Sequence, residues 1–264
     1  MSMHAHRILV GMALAVGMVG TSFAADLPVK APVYSPPPPV VIYNWTGFYV
    51  GANVGYGWGS LHNSVAPLPS PAAFGAAPFT VSSSPDGFLG GIQAGYNWQS
   101  GRFVYGLETD FQGADISDNA VRAPLSTAGG VPVPGWNSRV STKLDYFGTV
   151  RARLGATVTP ELLVYATGGF AYGNVKNSSR TTFTPLPPFT YVGSTSSIEP
   201  GWTVGGGIEY GFSNWSLKLE YLYVDLNVPS YRASPLAPNP PFALRHNVND
   251  LGLNIVRVGA NYRF

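Results

Sequence analysis

Cysteine is absent from the 264-residue chain, which excludes a disulfide framework and any thiolate metal site. Charge is scarce, because only 11% of residues are Asp, Glu, Lys or Arg. That leaves little to solvate the exterior of a soluble enzyme. The 15 bases nearly balance the 13 acids, so no bulk field attracts nucleic acid and no nucleic-acid partner is expected. Long hydrophobic runs are missing as well. The run from Ile8 to Val19 has 12 residues, short of the roughly 20 that a membrane helix needs. What the chain does have is 32 Gly, 24 Pro and 13% aromatic residues. The aromatics, with so few charges, argue against disorder.

Residues 1–24 read as a secretory signal peptide. Arg7 precedes the apolar run, and the small residues Ser22 and Ala24 occupy the positions a signal peptidase reads. The mature chain is expected to start near Ala25. Removing Arg7 from the 15 bases leaves 14 against 13 acids. Residues 25–43 hold Pro28, Pro32, Pro36, Pro37, Pro38 and Pro39 and read as an extended polyproline-type periplasmic leader. A docking strip is its functional reading and an inert linker the simpler one.

Residues 44–264 carry eight segments of period-two patterning rich in Gly and aromatics. They run 47–58, 88–98, 103–113, 142–157, 162–173, 202–212, 215–226 and 251–264. No proline falls inside these bounds, as expected of strands whose ladders need every N–H. Three connections are tight, around Gly101, Pro160 and Ser213-Asn214. Four are long and rich in Ser, Pro, Ala and Asn. This alternation predicts an all-β fold: a closed eight-stranded antiparallel transmembrane β-barrel with short periplasmic turns and long extracellular loops. A strand of about 11 residues, at about 3.3 Å each and tilted about 40°, covers about 28 Å, which suits an outer membrane.

Sorting each strand by parity separates two faces. Phe48, Val50, Val54, Tyr105, Leu107, Val150, Leu154, Leu217, Leu219, Val256 and Val258 fall on one. The other carries glycine and charge: Glu108, Asp110, Lys143, Asp145, Arg151, Arg153, Glu209, Lys218, Glu220, Arg257 and Arg263. A Lys or Arg facing lipid at mid-membrane costs roughly 2–4 kcal/mol, so the charged face is predicted to point into the lumen. There six bases and five acids would form a packed salt-bridge plug, with glycine leaving room for them. A proton or ion path through the lumen is the functional alternative. Leu251 and Leu253 fall on the inward parity, and a bulge or a later strand start near Ile255 would repair this. Asp225 breaks the alternation of its strand and is placed at a loop boundary. Two aromatic groups mark the membrane interfaces. Trp45, Trp98, Phe103, Tyr210, Phe212, Trp215, Tyr262 and Phe264 lie toward the short turns. Tyr56, Trp58, Phe88, Phe111, Tyr172, Trp202 and Tyr223 lie toward the long loops. Gly205-Gly206-Gly207 sits mid-strand with no helix after it, so it fails the context test for phosphate binding.

Several stretches carry a family resemblance. They are Trp45–Gly51, Gly91–Trp98, Gly106–Asp110, Arg151–Gly155, Tyr165–Gly173 and Arg257–Phe264. Through them the chain resembles the small outer-membrane immunogenic proteins of alphaproteobacteria, within the wider opacity and OmpA/OmpX-like barrels. The resemblance implies residence in the outer membrane, surface exposure, a part in envelope integrity, and in some members contact with host or haem. It implies no shared catalytic motif. Phe264, with Tyr262, Ala260 and Val258 before it, looks like the insertion signal read by the barrel-assembly machinery.

The leading functional expectation is a non-enzymatic outer-membrane barrel that supports the envelope and presents a surface for interaction and antigenicity. Outer-membrane lipids and lipopolysaccharide are the expected partners, with an external ligand at the loops as a further one. A narrow porin-like channel is the alternative. A lipid hydrolase or protease would need a nucleophile beside a base. The mature chain has only His62 and His246, both expected in solvated outer loops. Haem capture would need those two to meet above the barrel. No cofactor, metal or catalytic residue is expected.

Overall fold

The computed structural model describes residues 43–69, 75–184, 189–236 and 242–264. The signal peptide, and all of the proline-rich leader except Tyr43, lie outside the described residues.

The strands are β1 (Gly47–Leu68), β2 (Phe79–Ser83), β3 (Asp86–Ser100), β4 (Phe103–Arg122), β5 (Leu125–Ser126), β6 (Pro132–Val133), β7 (Asn137–Thr159), β8 (Leu162–Phe183), β9 (Phe189–Phe212), β10 (Trp215–Leu226), β11 (Tyr231–Pro235), β12 (Ala243–Val248) and β13 (Leu251–Arg263). Eight of them form a ring. From β1 the antiparallel ladder passes through β3, β4, β7, β8, β9, β10 and β13, and β13 pairs again with β1. A ring leaves no edge, so every backbone N–H and C=O in hydrocarbon finds a partner. All eight patterned segments lie on these strands. The tight turns stay tight: Gly101 takes φ +59° between β3 and β4, and Ser213 takes φ 53° between β9 and β10.

Above the membrane the wall continues. Three of the four stretches expected as long loops are largely strand, and the fourth holds β11 and β12. The outer half of β1 pairs with β2 on one side and β12 on the other. β11 joins β12 to the outer part of β9, and β4, β7, β8 and β9 stay paired up to their ends. The reason is local. Leu61, Asn63 and Val65 alternate inward along β1, and Leu244, His246 and Val248 do so along β12. Proline is therefore not excluded from strands: Pro67, Pro132, Pro200 and Pro235 lie within them. Pro200 sits where β9 exchanges neighbours. Its pairing with β10 ends at Gly201 and that with β11 begins at Val192, and such edge positions tolerate a missing N–H.

The lipid-facing band is apolar. Phe88, Ile92, Leu107, Val150, Leu154, Leu217 and Val258 are exposed, and aromatic rings flank them at both ends. The fifth segment, which has no charge to orient it, turns Val164 and Phe170 outward and Leu163, Tyr165 and Thr167 inward. Trp45 departs from the expected girdle. It is fully buried in the periplasmic mouth, edge-on to Tyr43, beside Val104, Leu163 and Tyr165. Its indole N–H donates to the Pro160 carbonyl at 3.0 Å.

Candidate functional site: a filled lumen

The inward residues of each strand change character along its length. Read from the periplasmic end, β10 turns Ser216, Lys218, Glu220, Leu222, Val224 and Leu226 inward, and β13 turns Arg263, Asn261, Arg257, Ile255, Leu253 and Leu251 inward. The lumen thus has a charged lower storey and an apolar upper one.

The lower storey joins Arg151, Arg153, Lys218 and Arg257 to Glu108, Asp110, Glu209 and Glu220, all of them buried. Arg151 reaches Asp110 at 2.9 Å, Glu220 at 3.1 Å and also Glu108. Arg153 bridges Glu209 at 2.6 Å and Glu108 at 3.3 Å. The Lys218 ammonium lies 2.9 Å from Glu108. Arg257 reaches Glu220 at 2.6 Å and Asp110 at 2.9 Å. The cluster is neutral, with four bases and four acids, as burial of charge requires. Neutral groups complete it. The Tyr49 hydroxyl donates to Glu108 at 2.7 Å, the Tyr165 hydroxyl donates to Glu220 at 2.9 Å, and the Tyr165 ring lies 4.0 Å from the Arg153 guanidinium carbon. Glycine makes room for the charges and for these rings: a Cβ at Gly55 would stand 2.7 Å from the Arg257 Cβ. A Cβ at Gly95 would stand 2.4 Å from the Tyr49 hydroxyl.

Three expected members of the plug lie elsewhere. Lys143 and Asp145 are half-exposed above the membrane, where Lys143 pairs with Asp145 at 3.5 Å and Asp115 at 3.6 Å. A register shift between Leu144 and Tyr146 causes this. The extra residue flips the parity of the outer half of β7, so Leu144 points inward in place of Lys143. Arg263 does point inward, but it closes the periplasmic mouth with no acid within ion-pair distance among the described residues. It donates to the Asn44 carbonyl and lies 4.8 Å and 4.9 Å from the Tyr43 and Trp45 rings. Val258, Ala260, Tyr262 and Phe264 share the outward face of β13, and Phe264 stacks on Phe48 at 5.8 Å.

The upper storey is formed by Leu61, Leu89, Ile116, Leu144, Phe147, Leu222, Val224, Leu226, Leu251, Leu253 and Ile255. β13 runs unbroken through Leu251 and Leu253, so neither a bulge nor a late start is present, and their inward parity is the real one. Asp225 lies within β10, on its outward face near the girdle, where it accepts from Tyr223 at 3.3 Å. Above the apolar storey His246 is fully buried, not solvated. Its ring stacks on Tyr231 at 4.6 Å, between Asn63 and Ser179 at 3.2 Å each. Burial pushes its pKa down to about 4. His62 is exposed on the outward face of the adjoining strand, so the two histidines face opposite sides of one sheet and cannot flank one haem iron. A second apolar cluster, with Val65, Leu125, Phe183, Tyr191 and Leu244, covers this layer.

Residues 13–264 match the outer membrane protein beta-barrel domain. The chain belongs to that family. Among curated relatives of this barrel protein, it is 38% identical to the 31 kDa outer-membrane immunogenic protein of Brucella melitensis, over 96% of this chain and 98% of that one. The 22 kDa outer membrane protein of Rhizobium leguminosarum bv. viciae is 32% identical over 71% of this chain and 67% of its own. Solved barrels are more distant. Pseudomonas aeruginosa OprG aligns at TM-score 0.43 with 10% identity, covering 84% of this chain and 99% of that one. Neisserial surface protein A aligns at 0.39 with 13% identity, covering 83% and 98%. The barrel protein resides in the outer membrane.

Proposed function

We propose that the barrel protein is a non-enzymatic, closed element of the outer membrane that contributes to envelope structure and presents its outer wall for interaction and immune recognition. The observation that carries this reading is the filled lumen. A neutral cluster of interlocked ion pairs lies under a storey of packed aliphatic side chains, and an eight-stranded barrel has room for little beyond its own side chains. A hydrated ion would have to break several buried pairs and then cross an apolar layer. The immunogenic outer-membrane relatives agree with surface presentation.

Two measurements test the reading. In planar bilayers the purified protein is expected to give no steady single-channel current, and regular current steps would favour the narrow channel instead. A deletion strain is expected to lose tolerance to detergent and osmotic shock, with recovery on complementation; unaltered tolerance would count against the envelope role.

A further inference from the structure

Outside the membrane, β7 and β8 set like charges directly across from one another. Lys143 pairs in register with Lys176, and Arg139 with Arg180. Like charges placed opposite each other in a sheet are destabilising, and an anion bound between them would relieve the repulsion. The lysines are partly neutralised, since Asp145 lies 2.6 Å from Lys176 and 3.5 Å from Lys143. The arginines are not. Among the described residues, neither has an acid within ion-pair distance.

Between the two charged rows lies a row of small polar side chains. Asn119, Ser141, Ser178 and Ser194 stand side by side on β4, β7, β8 and β9. These residues and the arginines line a shallow basin of about 600 Å³. The rows are four residues apart, about 13 Å along the strand. That is the scale of a disaccharide, with cations at either end and hydroxyls beneath. Height selects the occupant. Tyr172 marks the outer girdle, and Lys176 and Arg180 follow it by four and eight residues on the same outward face. At about 3.3 Å per residue and a tilt of about 40°, they stand roughly 10 and 20 Å above the ring of aromatics. The molecule at that height on the cell surface is the phosphate- and carboxylate-bearing saccharide of lipopolysaccharide.

We propose that Arg139 and Arg180, over the hydroxyl floor of Ser141, Ser178 and Ser194, form a binding site for the anionic sugars of outer-leaflet lipopolysaccharide, with Lys143 and Lys176 at its lower edge. The arginine forks suit phosphate and carboxylate oxygens, and the serines suit sugar hydroxyls. The proposal rests on residence in the outer membrane and is independent of the envelope role.

The test uses the mature protein folded in zwitterionic micelles and titrated with de-acylated lipopolysaccharide saccharide at fixed ionic strength. Folding of every variant is verified by the mobility shift on heating. Arg139→Gln with Arg180→Gln is expected to weaken binding about tenfold or more, while Arg102→Gln with Arg245→Gln, an equal loss of charge at a pair of arginines outside the basin, stays within about twofold of wild type. Ser178→Phe fills the floor without changing charge and should reproduce the loss. Inorganic phosphate should bind far more weakly than the saccharide. No saturable binding by wild type, equal losses in both arginine pairs, an unaffected Ser178→Phe variant, or phosphate matching the saccharide would each overturn the proposal.

Discussion

Glu108 accepts from Arg151, Arg153, Lys218 and Tyr49. Glu108→Gln leaves buried cations without a counter-charge, and breaking a buried pair costs about 3–5 kcal/mol. The urea midpoint for loss of the compact, heat-modifiable band should fall accordingly. Pairing it with Lys218→Met restores neutrality, so the double variant should be more stable than the sum of the two losses implies; strict additivity would deny the coupling. His246 gives a pH-dependent counterpart. Its folded pKa, about 4, lies below the ordinary value of 6.5, so between those values the unfolded chain binds the extra proton. Stability of the outer wall is therefore full above about pH 6.5 and declines as pH falls toward 4, by about 3 kcal/mol in all. Limited proteolysis of β11 and β12 across that window should track the decline, and His246→Gln should flatten it. The members of the ionic cluster were legible from charge and parity alone. Tyr49 and Tyr165 were not, because an aromatic on an inward position carries no mark distinguishing it from a girdle ring.

At the scale of elements, β7 shows where parity fails. Charge placed Lys143 and Asp145 on the same face as Arg151, and a single extra residue between Leu144 and Tyr146 separates them. Nothing in the local composition signals that insertion. The chain has no native cysteine, so single-cysteine labelling can test it. With a membrane-impermeant maleimide on whole cells, Lys143→Cys should label readily and Leu144→Cys should not. Deleting Asp145 removes the extra residue and sets Leu144 beside Tyr146 on the inward parity, so the same labelling pattern should persist; labelling that moved from position 143 to 144 would refute the parity flip. β13 teaches the converse. The inward placement of Leu251 and Leu253 is readable from parity, but it reads as an irregularity to any argument that takes the lumen as polar throughout. The outer strands are hard to read for a related reason. The stretches around Leu61–Val65 and Leu244–Val248 alternate as strands do, yet they lack the glycine and lipid-facing aromatics that marked the membrane segments.

For the whole molecule, ring closure and the distribution of apolar surface make one prediction: unheated protein should migrate faster than boiled protein in a detergent gel, in wild type and in the lipopolysaccharide-site variants alike. The height of the wall has a further consequence. β8 and β9 have 22 and 24 residues, which at about 3.3 Å each and a tilt of about 40° reach roughly 55–60 Å, against an apolar band about 25 Å tall. The part beyond the membrane is a stiff turret of paired strands. Neighbours on its face, such as Ala66, Arg245 and Arg232, come from β1, β12 and β11. Antibodies raised against intact cells should accordingly read shapes assembled from distant stretches of chain, and synthetic peptides copied from any one stretch should compete poorly for them.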